Sequence, residues 1–304
     1  TVFPAPTGVQ AEIRNAPGYE WSTWGIWDAE NRNRGAALSY FVDKSRLDTS
    51  ARKKADSLWV KIYDDKNELI RTLKWKADSG YNRNYWGFEQ KGFRRPGSPK
   101  PRLNAPELGG EAVFPGNYKV VMELAGQKDS TQLRVVGDPR IEDRKEIILA
   151  QQQLRNRLKK SSDKLIEGMD RLTDAEELTK KMENQLKDLT GKEADTLRKA
   201  GKAMQEEIKS IREFINGKSI ERQGYGRPQQ PPTPMSVWQQ ASRYISAKPV
   251  KPGDQEEQLV KDAEVKLEEA VAKINAFFSS KWASYRKLVE ANPVNLFKEY
   301  EPIK

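Results

Sequence analysis

The sequence contains no cysteine and no histidine among its 304 residues. Without cysteine the chain has no disulfide, no thiol nucleophile and no cysteine zinc site. Without histidine it has no imidazole base, no Ser-His-Asp triad and no histidine metal ligand. Only carboxylate, lysine or tyrosine chemistry remains. We therefore expect a chain that is not an enzyme, with no catalytic residue, no cofactor and no metal site.

Long hydrophobic runs are also missing, since no run approaches the roughly 20 apolar residues that a membrane-spanning helix needs. The sequence predicts no membrane span. It opens with Thr1-Val2-Phe3-Pro4, without a methionine and without a signal-peptide pattern. We expect a processed product or a fragment of a longer chain.

The charges are numerous and mixed: 54 Lys and Arg stand against 44 Asp and Glu, a net charge of +10. The basic clusters, such as Arg52-Lys53-Lys54, are small, and acidic residues lie close to them in sequence. A nucleic-acid-binding protein more often concentrates its basic residues on one face. The charge pattern therefore predicts a solvated surface and no nucleic-acid partner.

The composition changes near Asp138. Six of the eight tryptophans come before residue 90, namely Trp21, Trp24, Trp27, Trp59, Trp75 and Trp86. Beyond residue 140 Leu, Lys, Glu, Gln and Ala dominate, and unbranched residues of this kind favour helix, whereas aromatic and β-branched residues favour sheet. We predict a domain boundary at Asp138-Pro139.

The first part has the period-two alternation of half-buried strands, clearest at Leu58, Val60 and Ile62. Further strands are predicted at about residues 37–42, 68–74, 83–88, 118–124 and 133–135, with Trp86 in the core. Short strands separated by turns indicate an antiparallel β-sandwich. Pro115-Gly116-Asn117 predicts a tight turn, because glycine readily takes a positive φ. Five prolines between residues 93 and 115 predict a long loop without strand, and one hypothesis is that this loop makes a functional contact.

The second part has helical spacing. A helix is predicted from Pro139 to about residue 171, and a second from the capping box Thr173-x-x-Glu176 to about residue 191. A third spans about residues 193–216 and ends at Gly217. Residues 218–234 are expected to be irregular, followed by a short helix opened by Ser236-x-x-Gln239.

The last helix, opened by Asp254-x-x-Glu257 and ending at Asn292-Pro293, has the clearest apolar seam. Its positions step by three and four: Ala263, Leu267, Ala270, Ile274 and Phe277. A helix of this length buries such a stripe only against partners. The predicted architecture is an α+β multidomain chain, an Ig-like antiparallel β-sandwich followed by an elongated antiparallel helical bundle.

Several stretches resemble a known domain. They are Ala55-Asp56-Ser57-Leu58-Trp59-Val60-Lys61-Ile62-Tyr63-Asp64, Glu68-Leu69-Ile70-Arg71-Thr72-Leu73, Gly80-Tyr81-Asn82-Arg83 with Trp86, and Phe114-Pro115-Gly116-Asn117-Tyr118. This pattern resembles the FlgD-type immunoglobulin-like domain. With the stretch from Arg94 to Lys100 and the helical tail, the chain is similar to the C-terminal region of the exported BNR-repeat, sortilin-like and glycosyl-hydrolase-like proteins of Bacteroidota.

The resemblance implies a division into a lead-in at residues 1–35 that leaves a preceding propeller, an Ig-like sandwich at 36–138, a helical bundle at 139–292 and a tail at 293–304. It also implies export to the periplasm or the cell surface in association with the outer membrane. The implied partners are other cell-envelope proteins or a propeller domain of the same polypeptide. It carries over no catalytic residue.

The candidate binding residues are aromatic and basic. Tyr19, Trp21, Trp24 and Trp27 form a dense aromatic cluster, and Arg94 and Arg95 open the proline-rich stretch. Tryptophan is enriched at protein interfaces, and flat aromatic rings also stack on sugar faces. The first hypothesis is a scaffold module that binds proteins, the second a carbohydrate-binding module of a surface glycan-uptake or glycan-degrading system. An enzyme is the third hypothesis. It would need facing carboxylates in a cleft, for which Asp28, Glu30, Asp64 and Asp65 are the candidates, or a catalytic propeller elsewhere in the same polypeptide.

Overall fold

The computed structural model describes residues 1–12, 33–46, 56–187, 189–219 and 231–293. The chain is mixed α and β, with its strands before residue 138 and its helices after it. It divides into two compact units, one of residues 1–94, 101–153 and 248–252, the other of residues 95–100, 154–247 and 253–304.

The first unit contains nine strands among its described residues: β1 (Gly8–Gln10), β2 (Ala36–Val42), β3 (Ser57–Tyr63), β4 (Leu69–Lys76), β5 (Gly80–Trp86), β6 (Glu89–Lys91), β7 (Gly109–Ala112), β8 (Gly116–Leu124) and β9 (Gln127–Gly137). A short 3₁₀ turn, Lys44–Arg46, follows β2. A five-stranded sheet has the order β1-β9-β8-β3-β4, while β2 pairs with β5 and β6 pairs with β7. All pairs are antiparallel except β1 and β9, which run parallel.

One hydrophobic core joins the five-stranded sheet to the β2–β5 pair. It includes Leu38, Tyr40 and Trp86 from the pair and Val60 and Val120 from the sheet. The alternation that predicted these strands is confirmed, because every second residue of β2 is buried. Trp86 has 0% exposure, as predicted.

Two predictions in the first part are wrong. The proline-rich stretch from residue 93 to 115 contains a strand, β7, which pairs with β6. Its first residues, Gly109 and Gly110, have no side chains, so the alternation of apolar and polar residues that predicts a strand is missing there. Gly116 begins β8 opposite Val135 without a positive φ, so the predicted tight turn at Pro115-Gly116-Asn117 is replaced by an extended entry into the strand.

The helices are α1 (Arg144–Leu186), α2 (Lys192–Asn216), α3 (Pro234–Tyr244), α4 (Asp254–Phe277) and α5 (Ala283–Ala291), with a π-helical turn at Phe278–Trp282 between the last two. α1 is a single helix, so the predicted helix end near residue 171 and new start at Thr173 are wrong. The reason is visible at Thr173, whose hydroxyl donates a 3.0 Å hydrogen bond to the carbonyl of Met169. A threonine that bonds back to residue i−4 sits inside a helix and does not cap one.

Other predicted helix starts shift by one to five residues. α1 begins at Arg144 instead of Pro139, and α3 is capped by Thr233, whose side chain accepts a hydrogen bond from the backbone N–H of Ser236. α4 begins at Asp254, with Gly253 in the cap position and its N–H donating to Glu256 at 2.8 Å. The predicted end of α2 at Asn216 is confirmed, and Gly217 follows with φ of 90°.

The apolar seam of α4 is confirmed, since Val260, Ala263, Leu267, Ala270, Ile274 and Phe277 are all buried. Continued in steps of three and four, the seam would reach Lys281, which is exposed. The π-helical turn adds one residue and brings Trp282 and Tyr285 to the apolar side. Tyr285 is 5% exposed, and α5 packs on α2 near Gly201, where a Cβ would stand 3.5 Å from the Tyr285 hydroxyl.

Candidate functional site

The proline-rich stretch of the first unit is anchored by Arg71. This residue lies on β4, and its side chain is 6% exposed. Its guanidinium donates a hydrogen bond to the carbonyl of Leu108 and lies 3.6 Å from the carboxylate of Glu89 on β6. A buried charge needs partners of this kind, because its transfer out of water costs several kcal/mol per ion. Arg71 therefore ties the end of the stretch to two strands.

Glu107 provides a second attachment. Its carboxylate accepts a 2.8 Å hydrogen bond from the backbone N–H of Thr72 on β4. The same carboxylate lies 3.4 Å from the ammonium of Lys91. Residues 107 and 108 are thus both bonded to β4, and they anchor the C-terminal end of the segment that precedes them.

That segment ends in a turn that we call the loop tip, Arg102–Ala105. The backbone N–H of Ala105 donates to the carbonyl of Arg102 at 3.0 Å, and Asn104 has a φ of 64°. Asparagine tolerates this left-handed conformation better than most residues. Leu103, inside the turn, is 94% exposed. A leucine side chain that lies almost entirely in water, on a turn with an anchored base, is a candidate contact with another molecule.

The sequence around the loop tip is basic. Between residues 90 and 106 there are five Lys or Arg and no Asp or Glu: Lys91, Arg94, Arg95, Lys100 and Arg102. Lys91 pairs with Glu107, whereas Arg102 is exposed and makes no ion pair with a described residue. Of the two arginines predicted as site residues, Arg94 is half-buried and Arg95 is exposed. The loop tip itself was not singled out from the sequence.

The other predicted site residues, Tyr19, Trp21, Trp24 and Trp27, lie outside the described residues, as do Asp28 and Glu30. Asp64 lies in a turn, where its carboxylate accepts hydrogen bonds from the backbone N–H groups of Lys66 and Glu68 at 3.0 and 2.8 Å. Within the described ranges, no group of three or more acidic side chains is placed to hold a metal ion.

A second surface lies on the outward side of the β2–β5 pair. We call it the aromatic face and define it as Phe3, Ala37, Ser39, Phe41, Tyr81, Arg83 and Tyr85. The rings of Phe3 and Tyr81 stack with centroids 5.8 Å apart and an interplanar angle of 21°. Phe41 meets Tyr81 edge-on at 4.9 Å. Tyr81 is 81% exposed, so the stack is open to solvent.

Sequence reasoning missed the aromatic face because its rings come from three distant segments. The register places Phe41 opposite Tyr81 and Ser39 opposite Arg83. The backbone N–H of Phe3 donates to the carbonyl of Ser39 at 3.0 Å, which fixes the Phe3 segment beside β2. The alternation of Tyr81, Arg83 and Tyr85 along one strand is the signal that pointed to it.

No protein-family model matches the chain, and neither the curated proteins nor the solved structures contain a significant match. Across the part of the chain that the structure describes, no helix is long and apolar enough to cross a membrane.

Proposed function

We propose that the chain is a non-catalytic accessory or scaffold module that binds another protein through the loop tip. The observation that carries the proposal is Leu103, an almost fully exposed leucine on a turn whose base is fixed by Arg71 and Glu107. Because the base of the turn is already fixed, ordering this segment on binding costs less conformational entropy than ordering a free loop would. Arg102 beside it adds a charge at the rim, where charge sets specificity and association rate.

For the fold we propose an Ig-like antiparallel sandwich over residues 36–138 and an elongated antiparallel helical bundle over residues 139–292. A tyrosine corner supports the first part: the hydroxyl of Tyr118, near the start of β8, donates to the carbonyl of Phe114 at 2.5 Å. Immunoglobulin-like sandwiches use a tyrosine in this way at a strand corner. The buried seam of α4 supports the second part.

The setting is proposed on the motif resemblance alone. It favours an exported protein of the cell envelope, in the periplasm or at the outer membrane surface of a Bacteroidota cell. The proposed partner is another envelope protein or a β-propeller of the same polypeptide, as in the BNR-repeat and sortilin-like proteins. We assign no catalytic residue and no cofactor.

The test is a mild-detergent pull-down of the tagged native protein, with the captured chains identified and quantified by mass spectrometry. The tested variant is Leu103→Asp, and Leu178→Asp on α1 is the matched control because Leu178 is also exposed, at 49%. The proposal expects a stoichiometric partner that is lost with Leu103→Asp and kept with the control. Loss with neither variant, loss with both, or no stoichiometric partner would reject the loop tip as the binding site.

A carbohydrate-binding module is the second candidate. The aromatic face favours it, because stacked, exposed rings with hydroxyl groups beside them match the apolar C–H faces and polar edges of sugars. The tryptophan cluster that predicts sugar binding from the sequence, Trp21, Trp24 and Trp27, lies outside the described residues.

A further inference from the structure

We propose that the aromatic face binds an acidic saccharide, a chain of uronic-acid units whose rings stack on Phe3 and Tyr81 while a carboxylate pairs with Arg83. This inference rests on the second proposed function and names its ligand class. It is independent of the loop tip, so the two binding proposals can fail separately.

The aromatic part of the face is prepared for a flat ligand. Phe3 and Tyr81 lie within 21° of parallel, and Phe41 supports Tyr81 edge-on from the opposite position of β2. Aromatic pairs of this geometry contribute about 0.5–1.5 kcal/mol beyond their buried area. The Tyr81 ring is therefore held by its neighbours although most of its surface faces solvent.

Arg83 supplies the charge. It lies between Tyr81 and Tyr85 on the same side of β5, and its Nε donates to the hydroxyl of Ser39 at 3.0 Å. That bond orients the guanidinium and leaves its terminal N–H groups for another partner. Arg83 makes no ion pair with any described residue, and it is the one charged residue of the aromatic face as defined. The face is thus complementary to an anion, and the planar fork of arginine matches a carboxylate.

The spacing favours a chain over a single small anion. Tyr81 and Tyr85 are four residues apart on one strand, a separation of about 13 Å at ~3.3 Å per residue. Ser39, Tyr81 and Tyr85 offer hydroxyl groups along this length. Alternating rings, hydroxyls and one cation suit a polyhydroxylated acid better than an acidic peptide, whose carboxylates carry no apolar ring face.

The experiment measures binding of the full chain by isothermal titration calorimetry to three acidic polysaccharides: polygalacturonate, alginate and hyaluronate. Dextran serves as the neutral probe and poly-glutamate as the acidic peptide. The variants are Tyr81→Ala and Arg83→Gln. Thermal unfolding checks that each is folded, and Tyr85→Ala is used in place of either one that is not. The controls are Tyr244→Ala, an exposed tyrosine of α3, and Arg134→Gln, an exposed arginine of β9.

We expect at least one acidic polysaccharide to bind. Each face variant should weaken its affinity by roughly tenfold or more, which corresponds to about 1.4 kcal/mol. Both controls should bind it as the native chain does. Dextran is expected to bind more weakly. The proposal is overturned if none of the three polysaccharides binds, if the face variants bind unchanged, or if poly-glutamate binds as tightly and with the same sensitivity to Tyr81→Ala. If Leu103→Asp loses its protein partner but keeps polysaccharide binding, the loop tip and the aromatic face act separately. If Leu103→Asp loses both, the two surfaces are not independent.

Discussion

The hydroxyl group of Tyr118 donates a hydrogen bond to the carbonyl oxygen of Phe114, four residues earlier in the chain. The ring of Tyr118 packs edge-on against Trp86 with centroids 5.4 Å apart, and the residue is 6% exposed. Burial, reinforced by Asp64 and Asp65, raises the pKa of Tyr118 to about 12. One side chain therefore joins the entry of β8 to the centre of the core.

Replacing Tyr118 with Phe keeps the ring and removes the hydroxyl. The carbonyl of Phe114 loses this donor, and we expect the free energy of unfolding to fall by about 1–2 kcal/mol. Urea unfolding followed by tryptophan fluorescence measures the change. The control is Tyr81→Phe, whose side chain is exposed and should unfold like the native chain. Equal stability of Tyr118→Phe and the native chain would show that the hydrogen bond contributes nothing.

The contacts of the Asp138 carboxylate predict how the free energy of unfolding depends on pH. Its carboxylate accepts hydrogen bonds from the Arg140 side chain, at 2.9 Å from Nε and 2.6 Å from Nη2, and from the backbone N–H of Glu12. These bonds, the Arg140 side chain first, hold the pKa of Asp138 well below its ordinary value. A depressed folded-state pKa adds stability above the unfolded-state pKa of about 3.9, and this contribution is lost as the pH falls below that value.

We therefore expect Asp138→Asn to be less stable than the native chain at neutral pH, and the difference to shrink as the pH falls from about 4 towards 2. Thermal unfolding across this pH range measures it. Asp65→Asn, at an exposed turn position, is the control and should follow the native curve. A difference that stays constant with pH would assign the effect of Asp138→Asn to packing.

Ser162 and Trp238 make a buried polar contact in the helical unit. The indole Nε1 of Trp238 donates to the hydroxyl of Ser162 at 2.6 Å, and the hydroxyl donates in turn to the carbonyl of Leu158. Ser162→Ala leaves the buried indole N–H without a partner, and we expect a loss of about 1–3 kcal/mol. Ser284→Ala, an exposed serine of α5, is the matched control in the same urea titration. The idea fails if the two variants are equally stable.

Two glycines in helices predict opposite responses to alanine. At Gly201 the nearest atom to an added Cβ is the Tyr285 hydroxyl at 3.5 Å, an ordinary contact. Gly201→Ala should stabilise the chain by about 0.5–1 kcal/mol through helix propensity. At Gly168 the added Cβ meets the buried Ile274 at 2.9 Å. Overpacking costs about 1–3 kcal/mol, so Gly168→Ala should be no more stable than the native chain. Urea unfolding of both variants decides, and stabilisation by Gly168→Ala would show that α1 and α4 can move apart freely.

Arg71 predicts the mobility of the loop tip. Arg71→Met keeps much of the aliphatic stem and removes the donor to the Leu108 carbonyl. We expect faster amide hydrogen exchange at Ala105, Thr72 and Gly92, whose N–H groups donate to the loop tip, to Glu107 and to the Leu108 carbonyl. The increase should be roughly tenfold if the lost bonds are worth about 1.4 kcal/mol, with β8 and β9 exchanging as before. Lys74→Met, which changes a more exposed cation on the same strand, is the control. Unchanged exchange at these three amides would mean that Glu107 alone holds the loop.

The sequence was most informative where one side of an element is buried along its whole length. The alternation at Leu58, Val60 and Ile62 and the seam from Ala263 to Phe277 are both present in the structure. The sequence was misleading at Thr173, because the pattern Thr-x-x-Glu occurs both at the start of a helix and inside one. Only the geometry shows that the hydroxyl bonds back to Met169.

The candidate surfaces were harder to predict because each depends on contacts between distant segments. Phe3, Phe41 and Tyr81 meet only once β2 and β5 have paired and residues 1–3 lie beside them. The base of the loop tip likewise depends on Arg71, more than 30 residues before Leu108 in sequence. A stretch rich in proline and glycine indicates a loop, but not which carbonyl will hold it.

The π-helical turn at Phe278–Trp282 separates two lengths of helix that would otherwise share one phase. The buried seam of α4 continues to Phe277. On α5 the buried residue that faces α2 is Tyr285, one residue later than the regular spacing of that seam would place it. A wide turn of this kind is what an α-helix becomes when it accommodates one additional residue. The chain can thus differ by a single residue at this point without either neighbour losing its contacts. Deleting one of the two serines, Ser279 or Ser280, would therefore close the wide turn into a regular α-helical one and leave Tyr285 facing α2.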